Sequence, residues 1–382
     1  MHALAGASDA RGYDAPVSPR RSAAATPQAV VDEPARPVSL VDVATLAGVS
    51  AGTVSRALSR PGMLSDATRQ RVVAAAERLG YVANGAARAL ALRRTMTVGA
   101  LVPRFGSSSF PMLVQGLETT LAAAGYTLLL SAPEHGRAHE SAILRALIER
   151  GVDAVALLGA ERPTETFALL TAHRMPFVLL WAEASAQGPC VGFDEQAAAA
   201  LVVDHLADLG HRRIGFIGGR TADNERARRR WRGVLQAVAR RGLTLLPQAT
   251  VETDYGLQQG FDAMQQLLLS GSAPSAVVCG NDYLAAGVLS ALDQAGVEVP
   301  AQMSVASFND NEFAPFLHPP LTTVHVPIAE IGQRAGQYLL QRLQGQAVEA
   351  PPLLPVRLVV RASTGRPPKP ARAGTRNRKD PR

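Results

Sequence analysis

The sequence predicts an α/β protein made of a three-helix N-terminal domain, a short linker and a two-lobed core built on parallel sheets. Three observations lead to this fold class. Two short helices flank a glycine near residue 48, apolar strands alternate with amphipathic helices from residue 97 onward, and positive charge is concentrated in two segments.

Charge is distributed unevenly along the 382 residues, whose net charge is +7. Residues 1–36 are neutral, residues 37–96 carry +5 and residues 366–382 carry +6, so the body between the last two carries −4. A basic module beside an acidic body indicates a polyanionic partner for the module, most plausibly nucleic acid. The N-terminal extension, 1–36, and the basic tail, 366–382, cannot bury an apolar core, and we predict that both are disordered.

Several protein classes are disfavoured by composition. Cys190 and Cys279 are too few for a disulfide framework, which fits a reducing cytoplasm. No N-terminal segment joins a basic start to the apolar run of a secretion signal, and no apolar stretch approaches the length of a membrane span. We therefore expect a cytoplasmic protein without a membrane partner.

The stretch SLVDVATLAGVSAGTVSRALS, residues 39–59, predicts two helices joined by a tight turn. Ser39 precedes Asp42 by three residues, as in a capping box, and Gly48 can adopt the positive φ that ends a helix. Ser50 can cap the second helix. The apolar residues recur at helical spacing on one face of each helix, so the stretch predicts a helix-turn-helix.

A third helix, DATRQRVVAAAERLGY, follows Ser65 and closes a small core. These three helices define a predicted helix-turn-helix domain over residues 37–83. An ordinary three-helix bundle is the alternative to a DNA-binding module. The basic charge of the segment, together with Thr53, Ser55 and Arg56 on the exposed face of the second helix, argues against that alternative.

From Ser39 to Thr95 without a gap, and then to about Gly365, the sequence resembles the LacI/GalR (lactose-repressor-like) family of bacterial transcriptional regulators. The resemblance implies that the second helix, near 51–59, enters the major groove, with Arg56 donating to a guanine. The family's DNA-contacting positions in this headpiece are Ser50, Ala51, Gly52, Thr53, Ser55, Arg56, Ser65 and Thr68. Ala51 and Gly52 replace longer side chains common in the family, so only apolar contact or close backbone approach is expected there.

The segment NGAARALALRR, within residues 84–96, reads by itself as a short helix with little to bury or as a flexible linker. Gly85 lowers its helix propensity by about 1 kcal/mol relative to Ala. The resemblance implies a hinge helix that folds on DNA and pairs with its dimer mate in the minor groove. There Asn84 and Arg88 would contact DNA, and Leu90 would wedge between base steps.

The body, residues 97–365, repeats one βα theme that predicts parallel sheets with helices on both faces. Strands are predicted near 97–103, 126–130, 153–157, 176–181, 213–217, 275–279 and 303–307. Helices are predicted near 111–124, 137–150, 194–209, 226–241, 257–269, 281–295 and 328–345. The chain recrosses between lobes near PPLTTVHVP. The result resembles periplasmic sugar-binding proteins, with a ligand cleft between lobes at the carboxyl ends of strands.

Candidate effector-binding residues follow the strand ends and the family's positions. The predicted set is Arg104, Phe105, Ser108, Phe110, Arg230, Asn281, Asp282 and Asn309. Arg230 matches the family's effector-binding arginine, whereas Arg228, Arg229 and Arg232 read as a solvated helix face. Asp194 could line the cleft or cap a helix. Asn309 stands where relatives usually carry an Asp, which removes a negative charge from the cleft.

Rival functions find little support in the residues. His205, His211, His318 and His325 lack a metal-ligand spacing, no GxSxG occurs, and GFIGGRTADN lacks the dinucleotide-binding pattern. We expect no cofactor, no metal and no catalytic residues. A transport binding protein is disfavoured by the headpiece and by the lack of a secretion signal.

The sequence therefore predicts a homodimeric repressor of a pseudo-palindromic operator in double-stranded DNA, controlled by a sugar or sugar acid. The C-terminal tail has no leucine heptad, which favours a dimer over a tetramer. An effector-dependent activator or a co-repressor-type regulator is the alternative, and a sugar-processing enzyme is a more distant one.

Overall fold

A computed structural model describes residues 36–59, 62, 64–83, 85, 89, 94–102, 109–132, 139–222, 224–271 and 274–368. The chain divides into two compact units, residues 1–83 and 84–382. The first contains the headpiece and the second contains the body. None of the helices in the described ranges combines the length and the apolar character that a membrane crossing requires.

The headpiece is a three-helix unit whose helix ends are set by local sequence. Its helices are α1 (Leu40–Ala47), α2 (Ala51–Ser59) and α3 (Asp66–Leu79). The Ser39 hydroxyl accepts from the Asp42 N–H at 3.4 Å and the Asp42 carboxylate accepts from the Ser39 N–H at 2.8 Å, which completes the predicted capping box. Gly48 ends α1 at φ 63°. The small core between the helices includes three fully buried valines, Val43, Val54 and Val72.

The first lobe of the body is a parallel sheet in the order β2-β1-β3-β4-β5. Its strands are β1 (Thr97–Leu101), β2 (Thr127–Ser131), β3 (Ala154–Leu158), β4 (Phe177–Leu180) and β5 (Cys190–Val191). Its helices are α4 (Phe110–Ala123), α5 (Glu140–Glu149) and α6 (Thr164–Ala172). Every residue of β3 is buried, as expected of a central parallel strand with both faces covered.

The second lobe is a six-stranded sheet in the order β11-β10-β9-β8-β6-β7, parallel except for the β10–β11 pair. Its strands are β6 (Arg213–Gly219), β7 (Thr244–Thr253), β8 (Ala276–Cys279), β9 (Ser304–Asn309), β10 (Thr322–His325) and β11 (Arg357–Val359). Its helices are α7 (Glu195–Asp208), α8 (Glu225–Arg241), α9 (Leu257–Leu269) and α10 (Asp282–Gln294). This two-lobed α/β body with parallel sheets confirms the predicted fold class.

The last long helix, α11 (Ile328–Leu343), belongs to the first lobe although it follows β10 in the chain. It packs on α4 so closely that glycines are required at the contact. A Cβ on Gly116 would lie 2.1 Å from the Ala329 carbonyl oxygen, and one on Gly332 would lie 2.0 Å from that of Leu113. The chain thus passes between lobes after β5, after β10 and after α11. The Leu354 N–H donates to the Gly192 carbonyl at 2.8 Å and joins the third crossing to the first.

The C-terminal strap, residues 354–365, completes the second lobe. The fully buried His211 ring hydrogen-bonds the Gly365 carbonyl at 2.9 Å and the Ser275 hydroxyl at 2.8 Å. The Ser363 hydroxyl accepts from the Thr322 N–H at 2.8 Å. Burial lowers the pKa of His211, so the buried ring is held neutral.

Several short or edge elements of the body were not predicted. They include strands β5 and β11 and a 3-10 turn at Ala314–Phe316, and β10 lies in the stretch PPLTTVHVP, where only a crossing between lobes was expected. Helix α6 and strand β7 were not expected, since α6 is short and β7 contains Pro247 and mostly polar residues. Strand β7 lies at the edge of its sheet, and its register with β6 shifts between Ile214 and Phe216. Proline is tolerated on an edge strand beside such an irregularity, which explains why a strand exists where its sequence does not predict one.

Candidate functional site

Helix α2 presents a polar face and buries an apolar one. Val54 and Ala57 are buried in the headpiece core, whereas Gly52, Ser55 and Arg56 are exposed. Ala51 and Thr53 are partly exposed beside them. The residues predicted to face base edges therefore share one accessible surface of the helix. A helix of nine residues with this arrangement can enter a major groove.

The starts of α2 and α3 have the same local structure. The Ser50 hydroxyl accepts from the Thr53 N–H at 3.2 Å and lies 2.9 Å from the Thr53 hydroxyl. The Ser65 hydroxyl accepts from the Thr68 N–H at 3.4 Å and lies 3.0 Å from the Thr68 hydroxyl. Each helix start thus carries two hydroxyls beside the positive end of the helix dipole, which is a suitable environment for a phosphate.

Some headpiece arginines are paired with acids and others are not. Arg36 pairs with Asp42 at 2.7 Å and Arg69 with Asp66 at 3.3 Å. Arg56, like Arg71 and Arg78 of α3, has no ion pair in the described part of the headpiece, and it is the one that lies on the polar face of α2. Its guanidinium keeps its donors available on the same face as Ser55. Of the predicted hinge contacts, Asn84, Arg88 and Leu90 lie outside the described residues.

On the first lobe's side of the cleft, Phe110 is the predicted candidate after β1 that lies within the described residues, and Ser109 beside it was not predicted. Ser109 is buried, and Phe110 begins α4. The Ser109 hydroxyl donates to the Asn311 side-chain oxygen at 3.0 Å and accepts from the Asn309 side-chain amide at 3.1 Å, so it connects the two lobes. Arg104, Phe105 and Ser108 lie outside the described residues.

Asn309 ends β9 in an unusual conformation. Its φ is +106°, a strained value for a residue other than glycine, and Asp310 follows at +54°. Arg361 at 2.6 Å and His325 at 3.0 Å hold the Asp310 carboxylate and so fix the turn. The Asn309 Oδ1 atom is buried and accepts no hydrogen bond from the described residues. An unsatisfied buried acceptor beside a strained backbone is the local structure expected where a ligand supplies the missing donor.

Asp282 and Asn281 are engaged by the chain itself. Asn281 caps α10, its Oδ1 accepting from the Leu284 N–H at 2.9 Å. The Asp282 carboxylate is fully buried and accepts from Thr323 at 2.7 Å, from the N–H and amide of Asn311, and from the Ser307 hydroxyl. Burial raises the pKa of Asp282, and these hydrogen bonds oppose that rise. Asp282 therefore positions Asn311 and the turn that follows β9.

Arg230 lies in a buried ion pair. Its side chain and that of Glu195 are 6% and 3% exposed, and the guanidinium nitrogens lie within 3.0 Å of the carboxylate. Arg230 also donates to the Gly280 carbonyl and lies over the Phe308 ring. Burial alone would lower the pKa of Arg230, and the charge of Glu195 outweighs it. The pair is neutral overall, so Arg230 brings no net positive charge to the cleft.

The structure adds residues that the sequence did not single out. Glu195 also accepts from the Trp181 indole N–H at 3.0 Å, which links the lobes beside Arg230. Asp194 is the cap of α7, as its alternative interpretation stated, and accepts from the N–H groups of Gln196 and Ala197. The sequence VGFDEQ could have indicated a role for Glu195. Two adjacent acids stand at the start of α7, and only one of them, Asp194, is needed as its cap.

Two arginines of α8 that were predicted to lie on a solvated face bridge the lobes instead. Arg228 pairs with Glu161, and Arg229 pairs with Glu183 at 2.6 Å. The prediction of a solvated face holds for Arg232, which is exposed, and is wrong for these two. They were assigned to solvent because their partners lie more than 40 residues earlier in the chain.

Comparisons with known proteins cover both units. The family described as "Bacterial regulatory proteins, lacI family" matches residues 39–84, and the "Periplasmic binding protein-like domain" matches residues 203–364. The HTH-type transcriptional repressor CytR of Escherichia coli K12 is 34% identical over 328 residues, covering 85% of this chain and 96% of CytR. The ribose operon repressor of the same organism is 34% identical over 323 residues, covering 83% and 98%. The lac repressor dimer bound to operator and the anti-inducer ONPF has a TM-score of 0.77 at 30% identity, covering 86% of this chain and all of that one.

Proposed function

The chain belongs to the lacI family of bacterial regulatory proteins, and on that premise we propose that it is a repressor that reads operator DNA through α2. It is a DNA-binding transcriptional regulator and not an enzyme. The observation that carries the proposal is the exposed face of α2, where Arg56 has free donors between two capped helix starts. A chromosomal partner also requires that the protein works in the cytoplasm.

In this proposal Arg56 donates to a guanine edge in the major groove, because guanine offers two acceptors that match the guanidinium fork. The hydroxyls of Ser50, Thr53, Ser65 and Thr68 contact phosphates and fix the register of α2 on the duplex. Ser55 is a further polar contact. Ala51 and Gly52 have side chains too short to read a base by hydrogen bonds, so they contribute apolar contact and close approach.

The segment that joins the headpiece to the body is attached firmly at its far end. The Asp153 carboxylate accepts from the Thr95 N–H at 3.0 Å and from the Met96 N–H at 2.8 Å, directly before β1. A movement of the first lobe is therefore passed on to residue 95 with little slack. We propose that the preceding segment, with Asn84, Arg88 and Leu90, forms a hinge helix that contacts the minor groove.

Two-fold pairing completes the DNA-binding unit. One headpiece is small for specific binding, whereas a dimer places two copies of α2 on the half-sites of a pseudo-palindrome. The lac repressor, which this chain resembles over 86% of its length, was solved as a dimer on its operator. We therefore propose a homodimer. Equilibrium sedimentation that gives a stable tetramer at micromolar concentration would contradict it.

The effector is proposed to bind between the lobes, at the carboxyl ends of β1, β6, β8 and β9. Asn309 supplies a buried acceptor that has no donor among the described residues, and Ser109, which precedes Phe110, contacts its amide from the first lobe. Sugars and sugar acids fit such a site because their hydroxyls can donate to the amide oxygen. The ligand acts by binding one arrangement of the lobes better than the other, which changes the affinity for DNA.

The proposal is tested by selecting duplexes from a random pool and measuring operator affinity by gel shift. We expect a preferred pseudo-palindrome, binding that depends on Arg56, and a change in affinity when a ligand from a sugar and sugar-acid panel is added. In a transcription assay a repressor lowers output from a promoter that overlaps the site, whereas the alternative, an activator, raises it. Equal binding to all duplexes would refute sequence-specific regulation.

A further inference from the structure

Arg226 is the exception among the first arginines of α8. Arg228, Arg229 and Arg230 each pair with a carboxylate, respectively that of Glu161, Glu183 and Glu195. In the part of the chain that the structure describes, no carboxylate lies within ion-pair distance of Arg226. Its guanidinium carbon instead lies 5.6 Å from the centre of the Phe110 ring on the opposite lobe. The neighbouring arginines are satisfied by the protein, and Arg226 is not.

The surroundings of Arg226 make an unpaired charge unfavourable. The side chain is partly buried, and burial lowers the pKa of Arg226, while the more distant charges of Glu195 and Glu225 oppose that fall. A ring face attracts the cation but accepts none of the guanidinium's hydrogen bonds in its plane. The site therefore holds a cation with unused donors in a partly desolvated position, an arrangement that an anion stabilises.

The nearest candidate partner in sequence is already occupied. The Glu225 carboxylate accepts from the Ala160 N–H and from the Glu161 N–H, each at 2.7 Å. This contact turns Glu225 toward the backbone of the first lobe. It leaves Arg226 beside Gly159, whose Cα is so close that an added Cβ would lie 3.0 Å from Nη1 of Arg226. The Glu225 carboxylate is therefore near Arg226, but its hydrogen bonds go to the backbone of the first lobe and it forms no ion pair with the guanidinium among the described residues.

A second observation points to a ligand at the same end of the cleft. The Asn309 Oδ1 atom is buried and accepts from none of the residues that the structure describes, and Asn309 as a whole is 6% exposed. The Asn309 amide donates to Ser109, and Ser109 directly precedes Phe110, the residue on which Arg226 lies. Among the described residues, the Asn309 oxygen therefore lacks a hydrogen-bond donor, and the Arg226 guanidinium lacks an acceptor. A molecule with a hydroxyl and an anionic group supplies both.

We propose that Arg226 determines effector specificity by binding an anionic group, a carboxylate or a phosphate, on a hydroxyl-bearing effector. This inference rests on the proposed effector site between the lobes. It assigns the charge recognition to Arg226 instead of Arg230, because Glu195 neutralises Arg230 and the Gly280 carbonyl takes one of its donors. A guanidinium binds both anions through paired N–H groups, so the geometry names their shared chemistry.

The test uses a tryptophan next to the site as the reporter. Phe110 contacts the Trp181 ring at 5.7 Å between centroids, so an anion on Arg226 changes the surroundings of Trp181. Trp231 is the other tryptophan, and Trp231→Phe provides the background in which Trp181 is observed alone. The probes are inorganic phosphate, the pair D-glucose and D-gluconate, and the pair D-ribose and D-ribose 5-phosphate. Sodium chloride holds the ionic strength constant.

We expect inorganic phosphate and at least one acidic sugar to perturb Trp181 fluorescence, with the acidic member of its pair binding about tenfold or more tightly than the neutral one. Arg226→Gln should remove that preference. The control Arg232→Gln changes an exposed arginine of the same helix and should keep it. Tighter binding of D-gluconate would identify the anionic group as a carboxylate, and tighter binding of D-ribose 5-phosphate would identify it as a phosphate.

The proposal is overturned if no anion perturbs Trp181, if the neutral sugars bind as tightly as their acids, or if Arg226→Gln keeps the preference. Neutral sugars that bind and still change operator affinity would refute the anionic effector while leaving the regulator intact. Ligands that bind without any change in operator affinity would instead refute effector control, the function on which the inference rests.

Discussion

Helices α2 and α8 are both basic, and they use their arginines in opposite ways. Helix α2 has one arginine, Arg56, which is exposed and unpaired among the described residues. Helix α8 has seven, of which five pair with carboxylates of the body. Carboxylates of the body therefore balance most of the positive charge of α8, whereas no described carboxylate balances the charge of α2. A charge becomes available to a partner only where the fold supplies no opposite charge.

The largest expected effect comes from removing a carboxylate that α8 uses. Glu195→Gln leaves the Arg230 guanidinium buried without its counter-charge, and such a change costs about 3–5 kcal/mol of unfolding free energy. The measurement is the urea midpoint of the body. The matched control is Glu183→Gln, whose pair with Arg229 is 24% and 32% exposed and should contribute about 1 kcal/mol or less. A smaller loss for Glu195→Gln than for Glu183→Gln would show that the buried pair is not what holds α8.

The next effect concerns α2 and appears in binding instead of stability. Arg56→Ala should weaken specific operator binding by about 1–3 kcal/mol, through loss of a base contact. The unfolding free energy should be unchanged because the side chain is exposed. Gel shifts on the selected operator and on an unrelated duplex of equal length separate the roles. Equal losses on both duplexes would mean that Arg56 contacts only phosphate.

The smallest effect is expected on the exposed end of α8. Arg240 pairs with Asp204 at 2.9 Å, with side chains 54% and 36% exposed, and a surface pair of this kind contributes about 1 kcal/mol or less. Arg240→Ala should therefore change neither the urea midpoint appreciably nor the operator affinity. If it weakened operator binding as Arg56→Ala does, an arginine with a partner would be as available to DNA as one without, and the contrast between the helices would fail.

The two helices also show which features the sequence can reveal. The helices of the headpiece could be predicted because their ends are set by residues close together in the chain. Ser39 pairs with Asp42, Gly48 ends α1 and Ser50 caps α2. The availability of Arg56 follows from the same local pattern and from the basic composition of the segment.

The cleft depends on partners that are far apart in the chain. Glu161 and Arg228 are 67 residues apart, and Glu195 and Arg230 are 35 apart, so helical periodicity carries no information about either pair. Arg230 was identified through its resemblance to the family, which indicated its place but not the neutralising Glu195. The orphan oxygen of Asn309 likewise depends on a backbone strain that the identity of the residue does not reveal.

The late position of α11 and the C-terminal strap has a consequence for synthesis on the ribosome. The first lobe needs α11, residues 328–343, to cover α4, and the second needs residues 354–365 to satisfy His211 and Thr322. Neither lobe can be finished before the end of this segment has emerged, whereas the headpiece has all its helices by residue 79. At about 5–20 residues per second, the delay is roughly 15–60 s. For that interval each nascent chain carries a folded headpiece without the completed body that would regulate it.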